Sequence, residues 1–387
     1  MNVVYLSPHF PPNYYLFCVG LRRLDANVLG IAEDPYESLR PEVQAALTEY
    51  YRVSNMEDYD QVLRAAGYFT HRYGKIERVE SNNEHWLELE GFLRENFNVF
   101  GKKIAETAEI KRKSRMKRKF EEAGVEVAPG RLVLSLAEAR EFVREVGYPA
   151  IAKPDKGVGA ASTFRINDDQ ELESFFRQKP DLEYFMEPFV VGRIVTFDGL
   201  ADHYGNLVFH TSLQYSRNVM EIVRDDDHMY YYTLRDVPAD LVRAGTASVR
   251  AFDIREKFFH FEFFRTPDGR LLGLEVNVRP PGWPTTDLFN YANDFDIYQE
   301  WANVAVRNRF SAHSSRKYHA IYIGRKHSIR YAHRHEEIVE RFGHYLVHVT
   351  EMPHAFRRAM GDYAYIARSP NLDELKEVAA FVHEKAA

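Results

Sequence analysis

Residues 258–282, FFHFEFFRTPDGRLLGLEVNVRPPG, constrain the fold more than any other stretch of this chain. Phe261 and Phe263 alternate with His260, Glu262 and Phe264. Beyond them Leu274, Val276 and Val278 alternate with Glu275, Asn277 and Arg279. Period-two alternation means two strands, each with one buried face and one polar face. Asp268-Gly269 between them is a strong two-residue hairpin signal. A two-residue loop sets Glu262 opposite Glu275 and His260 opposite Asn277. Carboxylates so placed stand about 5 Å apart at Cβ and repel. A cation between them removes that cost. Two carboxylates and an asparagine oxygen suit Mg²⁺, a hard ion that keeps waters and takes further oxygens from phosphates. The alternative is a solvated Glu pair bridged by Arg279, with His260 as a wall or hydrogen-bonding residue.

The 387 residues allow two or three domains or subdomains. Net charge is -6, with no long block of one sign, which gives nucleic-acid binding no support. With Cys18 as the single cysteine, an internal disulfide and a Cys-based zinc site are excluded. MNVVYLSPHF lacks the basic flank and apolar core of a signal peptide. No apolar run approaches the roughly 20 residues of a membrane span. A soluble, cytoplasmic protein without membrane association is expected.

NVVYL (2–6), a helical stretch over YYLFCVGLRRLDA and NVLGIAE (27–33) read as strand, helix, strand, a parallel α/β unit. No glycine-rich dinucleotide fingerprint follows the first strand. The expected division is an N-terminal α/β domain over 1–105, a central domain over 106–308 (subdomains 106–185 and 186–308) and a C-terminal α/β section over 309–387. The basic run IKRKSRMKRK (110–119) reads as one helix with at least five of its seven Lys and Arg in water. AIAKPDKGVGAAST (150–163) places Lys153 before a small-residue loop. Its backbone N–H groups at Gly157, Gly159 and Ser162 are open to phosphate oxygens, unless it is an ordinary flexible hairpin. Cys18 lies in an apolar helical run and reads as core.

In chain order, Lys113 before AGVEVAPG, Lys153 before GVGAAS, MEPFVVG, Glu262 and EVNVRPPG resemble the ATP-grasp superfamily over about 106–308. The resemblance implies a mixed α/β and α+β architecture. A parallel α/β domain precedes two α+β subdomains that clamp ATP. It implies that Lys113 and Lys153 contact the nucleotide phosphates under the loop of Gly157, Gly159 and Ser162. Glu262, Glu275 and Asn277 would hold Mg²⁺, which Mn²⁺ could replace, and Arg279 would stabilise the reacting phosphate or acyl phosphate. The adenine would lie on the hinge that Glu187 begins, bonded by the Pro188 carbonyl and the Val190 N–H. Many members carry a ribose-binding Glu where this chain has Ile194, and Asp198 is the expected substitute. The activity implied is carboxylate–amine ligation. Arg279-Pro280-Pro281-Gly282 resembles the turn of amino-acid and dipeptide ligases, which points to a small carboxylate and an amine as substrates. A non-amine acceptor and a non-catalytic nucleotide-binding module remain alternatives, and homo-oligomerisation is left open.

Overall fold

The computed structural model describes residues 1–157, 162–217, 222 and 225–386. The first sheet is wholly parallel, in the order β3-β2-β1-β4, from β1 (Asn2–Leu6), β2 (Asn27–Ala32), β3 (Glu49–Arg52) and β4 (Arg78–Glu80). All five residues of β1 are buried, as a strand covered on both faces requires. The helices on this sheet have ordinary stop and start signals. Helix Tyr59–Tyr73 begins at Asp58, whose carboxylate accepts from the N–H groups of Asp60 and Gln61, and ends at Gly74 with φ 86°.

The basic run is not one helix. Helix Ile104–Lys111 and helix Lys113–Glu122 meet at Arg112, which is extended (φ -104°, ψ 120°) and bridges Lys156. The expected solvated face is also absent: Lys111, Lys113 and Lys117 are buried. Lys113 and Lys117 share a face four residues apart, and carboxylates on other elements neutralise them. Asp155 fixes the second helix in place. Its backbone carbonyl accepts from Lys113 N, and its carboxylate accepts from Ser114 N at 2.8 Å, as an N-cap residue would.

The second sheet runs β5-β8-β6-β7, from β5 (Arg131–Val133), β6 (Ala150–Pro154), β7 (Phe164–Ile166) and β8 (Tyr184–Pro188). The third comprises β9 (Arg193–Ala201), β10 (Leu207–Thr211), β11 (Leu213–Tyr215), β12 (Met229–Thr233), β13 (Phe258–Arg265), β14 (Leu271–Asn277), β15 (His319–Arg325), β16 (Leu346–Glu351) and β17 (Tyr363–Ser369). Its order is β14-β13-β9-β11-β12-β15-β17-β16, with β10 on β9. The C-terminal section therefore does more than pack on the central sheet. It continues that sheet through antiparallel pairing of β15 with β12.

The hairpin β13–β14 pairs His260 with Asn277 and Glu262 with Glu275, but not through a two-residue loop. Thr266 N donates to Arg270 O, leaving Pro267, Asp268 and Gly269 in the loop, with Gly269 at φ 86°. That longer loop shifts the register by one residue. A bulge at Leu274 shifts it back, because Phe263 pairs with Gly273. The two offsets cancel before the polar residues are reached. Core packing crosses the sequence-based boundary at 105. Phe17 packs edge-on to Trp301 at 5.0 Å and against Phe258 at 5.8 Å. Cys18 is fully buried beside it, with its thiol pKa pushed up by burial, and is part of the core.

Candidate active site

Three adjacent strands build a polar patch. β13 lies between β9 and β14, so Asp198, His260 and Asn277 form one cross-strand row, and Thr196, Glu262 and Glu275 form the next. Glu262, Glu275 and Asn277 each have an oxygen that faces a protein cation. Glu262 Oε1 lies 3.2 Å from His260 Nε2, and Glu275 Oε1 lies 3.4 Å from Lys113 Nζ. Asn277 Oδ1 accepts from Arg279 Nη2 at 3.2 Å. Burial alone would lower the His260 pKa, but Asp198 at 2.5 Å and Glu262 hold it up at about 9, so the imidazolium is the ground state. Burial would raise Glu262, but His260, Arg279 and Lys153 together outweigh that and lower it.

Among the described residues no group of three or more His, Cys, Asp or Glu is arranged to hold a metal by itself. Two carboxylates and an amide oxygen fit a hard divalent ion that draws its remaining oxygens from water and phosphate. The protein cations now facing these oxygens show that the site favours positive charge.

Asp198 does not meet the expectation of a ribose ligand. Its side chain is fully buried, and both carboxylate oxygens are engaged, by His260 Nδ1 and by the Thr196 hydroxyl. The strand alternation that suggested it is correct, but Asp198 lies deeper in the sheet, beneath His260.

Glu187 and Lys153 face each other across β8 and β6. Lys153 Nζ donates to Glu187 Oε1 at 2.6 Å. Lys117 Nζ, which sequence reasoning missed, lies 3.0 Å from the other oxygen. Burial would raise the Glu187 pKa, but the two ammonium groups hold it at about 2. The i, i+4 spacing of Lys117 from Lys113 was the available signal. Pro188 ends β8. Val190 lines a cavity of about 230 Å³ with Phe189, Gly192, Tyr215 and Ser216. Lys113 Nζ also reaches Gly157 O at 3.2 Å. Ser162 is exposed, with φ 59°. Gly159 lies outside the described residues.

Arg279 turns toward the parallel sheet. Its Nε and Nη2 both donate to Glu84 Oε2, at 3.1 and 3.0 Å, and Nη1 donates to Pro280 O at 2.9 Å. Glu84 is buried in the loop after β4, and burial raises its pKa despite Arg279. The loop after β1 supplies Asn13, which donates to Asp287 at 3.0 Å just past the Arg279 turn. β1 and β4 are neighbours in a sheet whose other strands lie beyond β1, so these loops flank the switch point where open parallel sheets bind ligands. No sequence signal marked Glu84, because its role arises from contact between elements 195 residues apart.

Residues 112–231 match the family model for the carbamoyl-phosphate synthase L chain, ATP binding domain. The L-arginine-specific L-amino acid ligase of Bacillus subtilis is 22% identical over 245 residues, 61% of this chain. The chain spans 59% of that relative's length. The L-amino acid ligase from Bacillus licheniformis superposes with a TM-score of 0.74 at 15% identity, over 98% of this chain and 95% of that one. N5-carboxyaminoimidazole synthetase from Staphylococcus aureus, solved with ADP, superposes with a TM-score of 0.73 at 13% identity, over 97% and 95%. Among the described residues no helix is long and apolar enough to cross a membrane. The chain thus has the ATP-grasp fold over nearly its whole length, and its lysine, hinge and β9–β12 segments match an ATP-binding-domain family model.

Proposed function

We propose that this protein is an ATP-dependent enzyme that activates a small carboxylate as an acyl phosphate and transfers the acyl group to an acceptor, releasing ADP and phosphate. The observation that carries this reading is the patch of Glu262, Glu275 and Asn277 on one face of the hairpin, with Lys113 and Arg279 at its edge. Lys113 and Lys153 would bind the nucleotide phosphates, and Pro188 and Val190 would hold the adenine through backbone groups. Glu262, Glu275 and Asn277 would hold Mg²⁺, which offsets phosphate charge when bound.

In the first step a substrate carboxylate oxygen attacks the γ-phosphorus and ADP leaves. In the second the acceptor's lone pair attacks the acyl carbon, the C–O bond to phosphate breaks, and the acceptor loses a proton. The planar fork of Arg279 is suited to the transferred phosphate. Its Glu84 partner brings the carboxyl ends of β1 and β4 against the site, a natural seat for the acid. An amine acceptor and an amino-acid-like acid make the finer reading, supported by the two L-amino acid ligase relatives. Carboxylating chemistry is the second reading, favoured by the likeness to N5-carboxyaminoimidazole synthetase.

ADP release tests the scheme across the amino acids, each alone, with a second amino acid and with bicarbonate. Release that needs an acid and an amine together supports ligation. Release that needs bicarbonate supports the second reading. Tight MgADP binding with no release under any condition refutes catalysis.

A further inference from the structure

Behind the catalytic hairpin lies a cavity of about 520 Å³, a size that suits a small metabolite. Val278 lines it, whereas its neighbours Asn277 and Arg279 belong to the polar patch on the other face of the strand. Leu87 and Ile110 complete an apolar wall. Much of the rest of the lining is charged, and the hydrogen-bonding capacity of those groups is unevenly spent.

Every carboxylate on the wall is engaged. Glu80 lies 2.5 Å from Lys257, 3.3 Å from Arg78 and 3.5 Å from Arg94. Glu256 holds Arg78 at 2.7 Å and His203 at 2.9 Å. Asp253 takes Arg255 at 2.6 Å, and Glu106 accepts the backbone N–H of Lys103 at 2.8 Å. The buried side-chain atoms of the lining that lack a partner among the described residues are donors. Among the described residues, Nε of Arg78 and Nε of Arg94 are buried with no acceptor. Lys102 makes no ion pair or side-chain hydrogen bond among them, and Lys103 Nζ meets only the carbonyls of Arg94 and Val99. Burial lowers the pKa of both lysines, against the opposing pull of Asp253, Glu106 and Glu109 on Lys102 and of Glu106 and Glu95 on Lys103. Gly101, at φ 112°, lets the Arg94 guanidinium lie where a Cβ would stand 3.0 Å from Nε. Buried donors without acceptors are costly, and an anion satisfies them.

We propose that this cavity is a second binding site, for a small organic anion carrying a carboxylate or phosphate on an apolar body. It is separate from the nucleotide cleft and does not depend on the ligase reading. Phenylacetate and phenyl phosphate are suitable probes, with phenylacetamide as the neutral control, titrated calorimetrically into the full chain with and without saturating MgADP. At least one anion should bind saturably in both conditions, and the tighter of the two identifies the headgroup. Phenylacetamide should not bind, and Lys102→Met should weaken the anion by about tenfold or more. The proposal is overturned by absence of heat with both anions at about 10 mM, by equal binding of phenylacetamide, by displacement with MgADP, or by an unchanged affinity in K102M.

Discussion

Replacing Lys117 with Met should weaken MgADP binding, although Lys117 is not expected to touch a phosphate. Glu187 is buried between Lys153 at 2.6 Å and Lys117 at 3.0 Å. With both ammonium groups present, the trio carries one surplus positive charge. Lys153 can then turn toward a nucleotide phosphate while Lys117 keeps Glu187 neutralised. In K117M, Lys153 is the sole counter-ion, and drawing it away strands a buried carboxylate. A hydrogen bond to a charged group contributes about 1.5–3 kcal/mol. The expected loss in MgADP affinity is therefore about 10- to 100-fold. AMP has no β-phosphate to recruit Lys153 and should bind K117M and the wild type alike. Lys117→Arg keeps the charge and should recover most of the loss. Calorimetric titration of MgADP, MgATP and AMP into the three proteins decides the matter, with melting temperatures to confirm folding. Wild-type MgADP affinity in K117M would refute the reasoning, as would equal losses in K117M and K117R, which would assign the effect to shape and not charge.

Four other perturbations bear on the same cleft. Glu275→Gln should leave the melting temperature nearly unchanged and largely abolish Mg²⁺-dependent ADP release; full turnover at limiting Mg²⁺ would remove Glu275 from the metal set. Arg279→Lys keeps the charge but loses the fork, so the turnover rate should fall by roughly 10²-fold or more, with ATP affinity changed much less. Glu84→Gln should slow turnover far less than R279K, and equal rates in the two variants would mean that Arg279 serves only its pair with Glu84. The Glu187 carboxyl, at about 2 when folded against an ordinary 4.5, contributes stability that is fully present above the unfolded value and lost as pH falls through the folded one. The contribution is about 3 kcal/mol. Urea unfolding of wild type and Glu187→Gln at pH 6 and at about pH 2.5 should show a smaller acid loss in the variant, and parallel losses would contradict the assignment.

The hairpin was legible because its side-chain alternation is a local property of the strands. Its register came out right for a reason the sequence hides: the three-residue loop and the Leu274 bulge each shift the pairing, and the shifts cancel. Lys113 was named as a candidate and Lys117 was not, although helix spacing ties them together. The charge density of 110–119 suggested a wetted face, whereas Glu187 and Glu275, far away in sequence, draw that face inward. Asp198 was correctly put on the polar face of β9, but depth within a sheet depends on what covers it, which alternation does not record. β17 was missed altogether, although its apolar run between Gly361 and Pro370 has the composition of a strand; it lies between β15 and β16. Glu84 could not have been found, since nothing near it in the chain marks it as the partner of Arg279.

The joint between the first hundred residues and the rest has a consequence for how this protein can be cut or recombined. Arg78 is tied to Glu256 and Lys257 to Glu80 and Glu90 in buried positions, and the buried Glu84 is tied to the half-buried Arg279. Severing the chain near residue 105 would strip Lys257 of both its carboxylates, Glu84 of Arg279 and Arg78 of Glu256, and breaking a buried pair costs about 3–5 kcal/mol. Neither half is a cassette. A chimera that exchanges the parallel sheet for a homologue's must carry the matching acidic and basic residues with it. Two fragments expressed separately should be recovered folded only when they are made together.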